Sequence, residues 1–220
     1  MRYYPIYLDI NGKRCIVLGG GRIAERKVKS LLKCGADVTV ISPDLAPPLN
    51  TLLSKGRIRH IQRDYQEGDL EGAFLVIGAT NDSLAHEKAS QEAQKCGILI
   101  NIVDTPDRCN FIVPSVVERD DLVIAISTNG KSPALARRIR EELESVYGRE
   151  YGVFLALLGA VREKLLKTSN DSERNKRLFY EIIDSEMIHS IKEKKHQEIN
   201  EILEVTLGEG YSLEELNIIL

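Results

Sequence analysis

No apolar run in this chain is long enough to cross a bilayer, and the N-terminus lacks the pattern of a secretory leader. Neither charge sign is in large excess. The net charge is −3 at pH 7 over 220 residues, so the chain as a whole gives a polyanion or an anionic membrane no electrostatic reason to bind. The four cysteines, Cys15, Cys34, Cys96 and Cys109, show no C-x-x-C spacing. That argues against both a zinc site and a disulfide frame. The histidines, His60, His86, His189 and His196, form neither H-x-H nor H-E-x-x-H, so no metal ligands are read from them. Repeats and low-complexity tracts are also missing. What remains is an ordinary globular composition, 43% hydrophobic and 29% charged, with length for one large or two small cores. The expectation is a reduced cytoplasmic enzyme with no nucleic-acid or membrane partner.

Against that plain background one stretch stands out, Lys13 to Lys27, KRCIVLGGGRIAERK. Cys15 to Leu18 is apolar and ends in three glycines. Ile23, Ala24, Lys27, Val28, Leu31 and Leu32 follow at helical spacing, so the stretch reads as strand, tight turn, helix. Gly19, Gly21 and Ala24 fit the G-x-G-x-x-G/A dinucleotide fingerprint. In that pattern Gly19 permits the turn and Gly21 lets the backbone approach a pyrophosphate. Ala24 packs the helix close to its strand, and the helix N-terminus offers free N–H groups to the phosphates. A glycine-rich structural turn is the competing reading.

The rest of the chain extends the pattern. Residues 3–10 form an apolar segment broken by Pro5, expected along the first strand or its rim. Strands are read at 37–41, 58–61, 74–78 and 98–103, and helices at 46–56 and 83–96, the latter capped by Thr80-Asn81-Asp82. This alternation predicts an α/β fold, a Rossmann-type doubly wound parallel sheet with helices on both faces. After Asp104 the pattern changes. The stretch 104–111 is turn-rich, and 111–118 and 122–127 read as paired antiparallel strands. Ser132-Pro133 starts a helix that runs to about Tyr147. Three or four amphipathic helices are expected beyond, at 151–167, 171–184, 186–206 and 212–219. Three regions follow: a nucleotide-binding domain at 1–112, a small α+β dimerisation region at 113–149 and a C-terminal helical domain at 150–220.

Several residues could carry chemistry. Asp44 stands near the end of the second strand, where an acid can accept hydrogen bonds from a ribose. It lies 23 residues after Gly21, slightly late for that role. No arginine immediately follows the strand to receive a 2′-phosphate, so NAD is favoured over NADP. Alternatively Pro43-Asp44 simply starts a turn. Asp104 follows a buried strand at the edge that lines the ligand crevice, where it could accept a proton. An Asx-turn cap before Pro106 competes, and read from the sequence alone it is the better explanation. Lys131, Arg137, Arg138 and Arg140 form a basic cluster suited to substrate carboxylates. The same residues could instead make a solvated helix face paired with Glu141, Glu142 and Glu144.

Three segments, residues 3–43, 101–115 and 122–144, together resemble the precorrin-2 dehydrogenase family, the N-terminal module of siroheme synthases. The resemblance covers residues 1 to about 147, and the last helices match it only loosely. It implies NAD-dependent oxidation of precorrin-2 to sirohydrochlorin, with iron insertion in some members, and a homodimer with exchanged elements. It implies cofactor contacts at the glycine loop Gly19, Gly20 and Gly21, with Arg22, Ile23, Pro43 and Asp44; Thr80 is a further candidate contact. It makes Asp104 the functional aspartate, against the cap reading, and Thr128 a substrate contact, with Asn110, Lys131 and Ser132 beside it as further candidates. A chain of this length has no room for the fused methyltransferase of some members, so another protein is expected to make the methylated substrate. A different class of function, an NAD-sensing regulatory module, shares the glycine loop but does not need residues 109–133.

Overall fold

The computed structural model describes residues 3–168 and 171–220. The chain divides into two compact units, Met1–Val113 and Pro114–Leu220.

In the first unit β1 (Arg14–Leu18), β2 (Asp37–Ile41), β3 (Arg59–Ile61), β4 (Leu75–Gly78) and β5 (Leu99–Ile102) form one parallel sheet in the order β3-β2-β1-β4-β5. These strands are apolar along most of their length, as strands covered on both faces must be. Alternate residues divide the core. Cys15, Val17, Val38, Val40 and Ile77 meet Ala24, Val28 and Leu31 of α1 (Arg22–Lys33) and Leu49 of α2 (Pro47–Ser54). Ile16, Leu18, Val76, Ile100 and Ile102 meet Ala89 and Ala93 of α3 (Ser83–Cys96) on the opposite face. The predicted doubly wound sheet is therefore present. Strand order reverses at β1, the switch point beside which such sheets bind ligands.

Helix α3 starts where the sequence places it, with Asp82 Oδ1 accepting from the N–H groups of Leu84 and Ala85 at 2.9 and 3.1 Å. A buried carboxylate holds the segment between β3 and β4 against this helix. Glu92 accepts from Tyr65 Oη and from the N–H groups of Gly68 and Leu70. Burial, then this bond to Glu92, pushes the Tyr65 phenol upward. The segment 3–10 forms no strand. Tyr4 and Ile6 are largely exposed, and Lys13 N–H closes a turn on the Ile10 carbonyl before β1 begins.

In the second unit β6 (Ser115–Arg119) and β7 (Leu122–Ile126) make an antiparallel hairpin, as read from the sequence. Arg119 fastens it to the end of α4 (Pro133–Val146) by donating to the carbonyls of Tyr147 and Glu144 at 2.8 and 3.1 Å. Helices α5 (Glu150–Thr168), α6 (Ser172–Ile183), α7 (Met187–Lys192) and α8 (His196–Leu207) enclose a second core around Leu157, Ile182, Met187 and Leu203.

Two helix expectations are corrected here. The segment 186–206 is two helices, not one. Lys194 takes a left-handed φ of 55° and Lys195 N–H bonds the Ser190 carbonyl, while buried Ser190 donates its Oγ proton to Glu198. The segment 212–219 makes a single turn, closed when Asn217 goes left-handed and Ile218 N–H bonds the Leu213 carbonyl.

Candidate functional site

The carboxyl ends of β1, β2 and β4 converge on a cleft of about 640 Å³. All eight residues named from the sequence as cofactor contacts line it: Gly19, Gly20, Gly21, Arg22, Ile23, Pro43, Asp44 and Thr80. The three glycines are there for different reasons. Gly19 has φ +111°, and a Cβ on it would lie 2.5 Å from the Ala79 carbonyl oxygen. A Cβ on Gly20 would overlap the Asp44 carbonyl oxygen and lie 2.7 Å from Ser42 Oγ. Gly21 is unlike both. Its φ is an ordinary −86°, and a Cβ there would meet nothing within 4 Å. The open space beside Gly21 is the cradle.

Gly21 is also the N-cap of α1, and no side chain among the described residues caps that helix. Its first N–H groups therefore keep their donors for a ligand. Ala24 is fully buried, which keeps α1 tight against β1. The uncapped helix end and the open cradle together fit a pyrophosphate. Asp44 is exposed and its carboxylate makes no hydrogen bond among the described residues. Thr80 Oγ1 accepts from Asp82 N–H at 3.2 Å.

Asp104 follows β5 in the left-handed region at φ +59°, a conformation that Asp and Asn tolerate better than most side chains. It is exposed, and its carboxylate accepts no hydrogen bond among the described residues, so the Asx-turn cap is absent. Lys27 is its electrostatic neighbour. Burial and then Arg26 push the half-buried Lys27 ammonium down, and the charge of Asp104 opposes them. After Asp104 the chain makes a 3₁₀ turn, Pro106–Arg108, and runs back along the free edge of β5. There Asn110 accepts from Ile100 N–H and donates to the Ile98 carbonyl, both at 2.8 Å. Its amide thus stands in for a missing strand partner.

In the second unit Thr128, Lys131 and Ser132 share one loop. Thr128 Oγ1 donates to the Ser132 carbonyl at 3.0 Å and accepts its N–H at 3.1 Å. Ser132 Oγ caps α4 by accepting from Leu135 N–H. Lys131 is exposed and makes no ion pair among the described residues. The basic cluster beyond it takes its competing form: Arg137, Arg138 and Arg140 pair with Glu141, Glu142 and Glu144 along the helix.

Two features were not legible beforehand. One is Gly20, whose constraint comes from a turn more than twenty residues away. The other is His86 on α3. It is 7% exposed and its Nε2 has no hydrogen-bond partner among the described residues. That nitrogen lies 3.2 Å from where a Cβ on Gly78 would stand. Burial, reinforced by Arg108 and opposed by Asp82, pushes the imidazole below its ordinary value of 6.5. Below that pH the unfolded chain takes up a proton that the folded chain resists, so stability contributed by neutral His86 is lost as pH falls. Urea midpoints at about pH 7.5 and about pH 5.5 should therefore differ more in the wild type than in His86→Leu. An equal difference would contradict this account.

Among the described residues no group of three or more His, Cys, Asp or Glu side chains gathers into a metal site, and no helix is long and apolar enough to cross a membrane. Burial pushes the Cys15 thiol up to about 11, aided by Asp37 and Cys34, so it packs as a neutral group.

Comparison with known proteins agrees with this geometry. A family model for NAD(P)-binding chains matches residues 6–115, and one for the central part of sirohaem biosynthesis proteins matches residues 119–145. A siroheme synthase of Methylobacillus flagellatus is 38% identical over 220 residues, covering 96% of this chain and 47% of that protein. One of Photorhabdus laumondii is 38% identical over 181 residues, covering 82% of this chain and 38% of that protein. The chain thus spans about half the length of the siroheme synthases it matches. The solved structure of SirC, a precorrin-2 dehydrogenase, superposes with a TM-score of 0.79 at 31% identity, covering 93% of this chain and 98% of that one. By sequence and by fold, this chain belongs to the precorrin-2 dehydrogenase family, the family of the siroheme synthase N-terminal module.

Proposed function

We propose that this chain oxidises precorrin-2 to sirohydrochlorin with NAD as the acceptor. The observation that carries the reading is the cleft. An uncapped helix N-terminus, an open Gly21 and an unpaired Asp44 meet at the switch point of a sheet whose full-length structural relative is a precorrin-2 dehydrogenase. The backbone N–H groups at the start of α1 hold the pyrophosphate. Asp44 accepts from a ribose hydroxyl, and no arginine follows β2 to receive a 2′-phosphate. The nicotinamide supplies the hydride acceptor. The macrocycle gives up a hydride and a proton, and Asp104 takes the proton. Thr128 makes the substrate contact that the family resemblance implies, and Asn110, Lys131 and Ser132 are further candidates for it. Among the described residues no cysteine forms a disulfide, which suits the reducing cytoplasm.

The test is NADH formation on adding precorrin-2 and NAD, with NADP in a parallel cuvette and calorimetric titration of each cofactor. Turnover with NAD, and tighter binding of NAD than NADP, is the expected result. Binding without turnover would instead favour the regulatory module. Sirohydrochlorin with ferrous or cobalt ion, followed by absorbance, tests the added chelatase activity that the siroheme synthase relatives raise.

We also propose that the second unit assembles as a homodimer through a region around 113–149. A two-stranded sheet is marginal alone. The β6–β7 hairpin leaves Val116, Val123 and Ala125 exposed on one face. A second copy of that face is the expected cover, and a monomer by light scattering at micromolar concentration would contradict it.

A further inference from the structure

We propose that His60 and Ser42 set the nucleotide preference of the cleft by holding the turn that carries Asp44. They are positioning residues and need not touch the cofactor. His60 stands half-buried on β3, beside the end of β2. Its Nε2 lies 2.9 Å from the Ser42 carbonyl oxygen and 3.3 Å from Ser42 Oγ. A carbonyl oxygen only accepts, so Nε2 carries the proton and donates it. Ser42 Oγ then uses its own proton, donating to the Asp44 carbonyl oxygen at 2.8 Å. Ser42 is 3% exposed, so its bond is shielded from competing water. The same Asp44 carbonyl is the atom a Cβ on Gly20 would overlap, and Ala46 N–H closes the contact by bonding the Gly20 carbonyl at 2.8 Å. The turn is thus pressed on the glycine loop from one side and tied to β3 from the other.

That tether matters because, among the described residues, the Asp44 carboxylate makes no hydrogen bond of its own to hold it. A free 2′-hydroxyl is bonded only by a carboxylate in the right place, and a 2′-phosphate is repelled most by one that cannot swing away. A loosened turn weakens the first effect and relaxes the second. The inference rests on Asp44 being the ribose acceptor of an NAD site.

The experiment titrates NAD and NADP separately into the full chain, as wild type, Ser42→Ala, His60→Leu, His60→Gln, Asp44→Ala and the Ser42→Ala/Asp44→Ala double variant. Each preparation sees both cofactors, so the affinity ratio does not depend on the fraction folded. Ser42→Ala should lower NAD affinity by about tenfold, the upper scale of one lost hydrogen bond, while NADP affinity holds or rises. His60→Leu should follow it, and His60→Gln, which keeps a donor, should retain the wild-type ratio. The double variant should show the ratio of Asp44→Ala alone, because the tether acts only through that carboxylate. A wild-type NAD preference that Ser42→Ala leaves unchanged overturns the tether and keeps the NAD reading. A wild type without the preference, or one whose ratio survives Asp44→Ala, overturns the NAD reading and this proposal with it.

Discussion

Gly21→Asp is expected to weaken NAD binding by about a hundredfold or more, equivalent to about 2.7 kcal/mol, in a protein that melts at the wild-type temperature. Both halves follow from one position. The backbone there has φ −86°, and a Cβ would meet nothing within 4 Å, so the folded chain accepts a side chain without strain. The room the side chain takes is the room a pyrophosphate needs, and its carboxylate adds like-charge repulsion at the helix end that should bind the phosphates. Gly20→Ala is the contrasting control. Its methyl would overlap the Asp44 carbonyl oxygen, which is backbone and cannot turn aside. That variant should lose thermal stability and cofactor binding together. Calorimetry with NAD and a melting curve on each protein separate the two cases. Unchanged NAD affinity in Gly21→Asp would remove the glycine loop from the site.

The contrast between these two glycines also shows what the sequence could and could not disclose. Strands β1, β2, β4 and β5 were legible because each is a short apolar run, and the sheet follows from their alternation with helices. Gly19, Gly21 and Ala24 were legible as a spacing. The constraint on Gly20 was not, because it is created by the turn after β2, which local spacing does not bring near. Asn110 shows the same limit. Its amide pairs with the free edge of β5, and only the tertiary course of the chain reveals that edge. The break at Lys194 lies in a run of good helix formers, so propensity gave no sign of it. It is made instead by Ser190, whose carbonyl accepts from Lys195 N–H and whose hydroxyl reaches Glu198. Read against an exposed surface, the arginines of α4 had two uses. The structure takes the local one, because a glutamate four residues on is always within reach on a helix.

Asp104→Asn should lower turnover by about a hundredfold or more, the usual scale for a general acid–base group, while NAD affinity and melting temperature change little. Asparagine is the right replacement here. It keeps the size of aspartate and tolerates the left-handed backbone at φ +59°, so the turn after β5 should survive. It removes the basic oxygen, and with it the acceptor for the proton that the macrocycle must lose. The rival account makes Asp104 a turn cap. A lost cap would cost about 1 kcal/mol of stability and leave the rate per folded molecule intact. The structure already weighs against it, since the carboxylate accepts no hydrogen bond among the described residues. The charge of Asp104 does hold up the ammonium of Lys27 against burial. Removing it should therefore ease loss of the Lys27 proton at alkaline pH. Turnover, melting temperature and NAD affinity measured on one preparation decide the matter. Lost turnover with the other two preserved is the expected pattern, and retained turnover would end the catalytic assignment of Asp104.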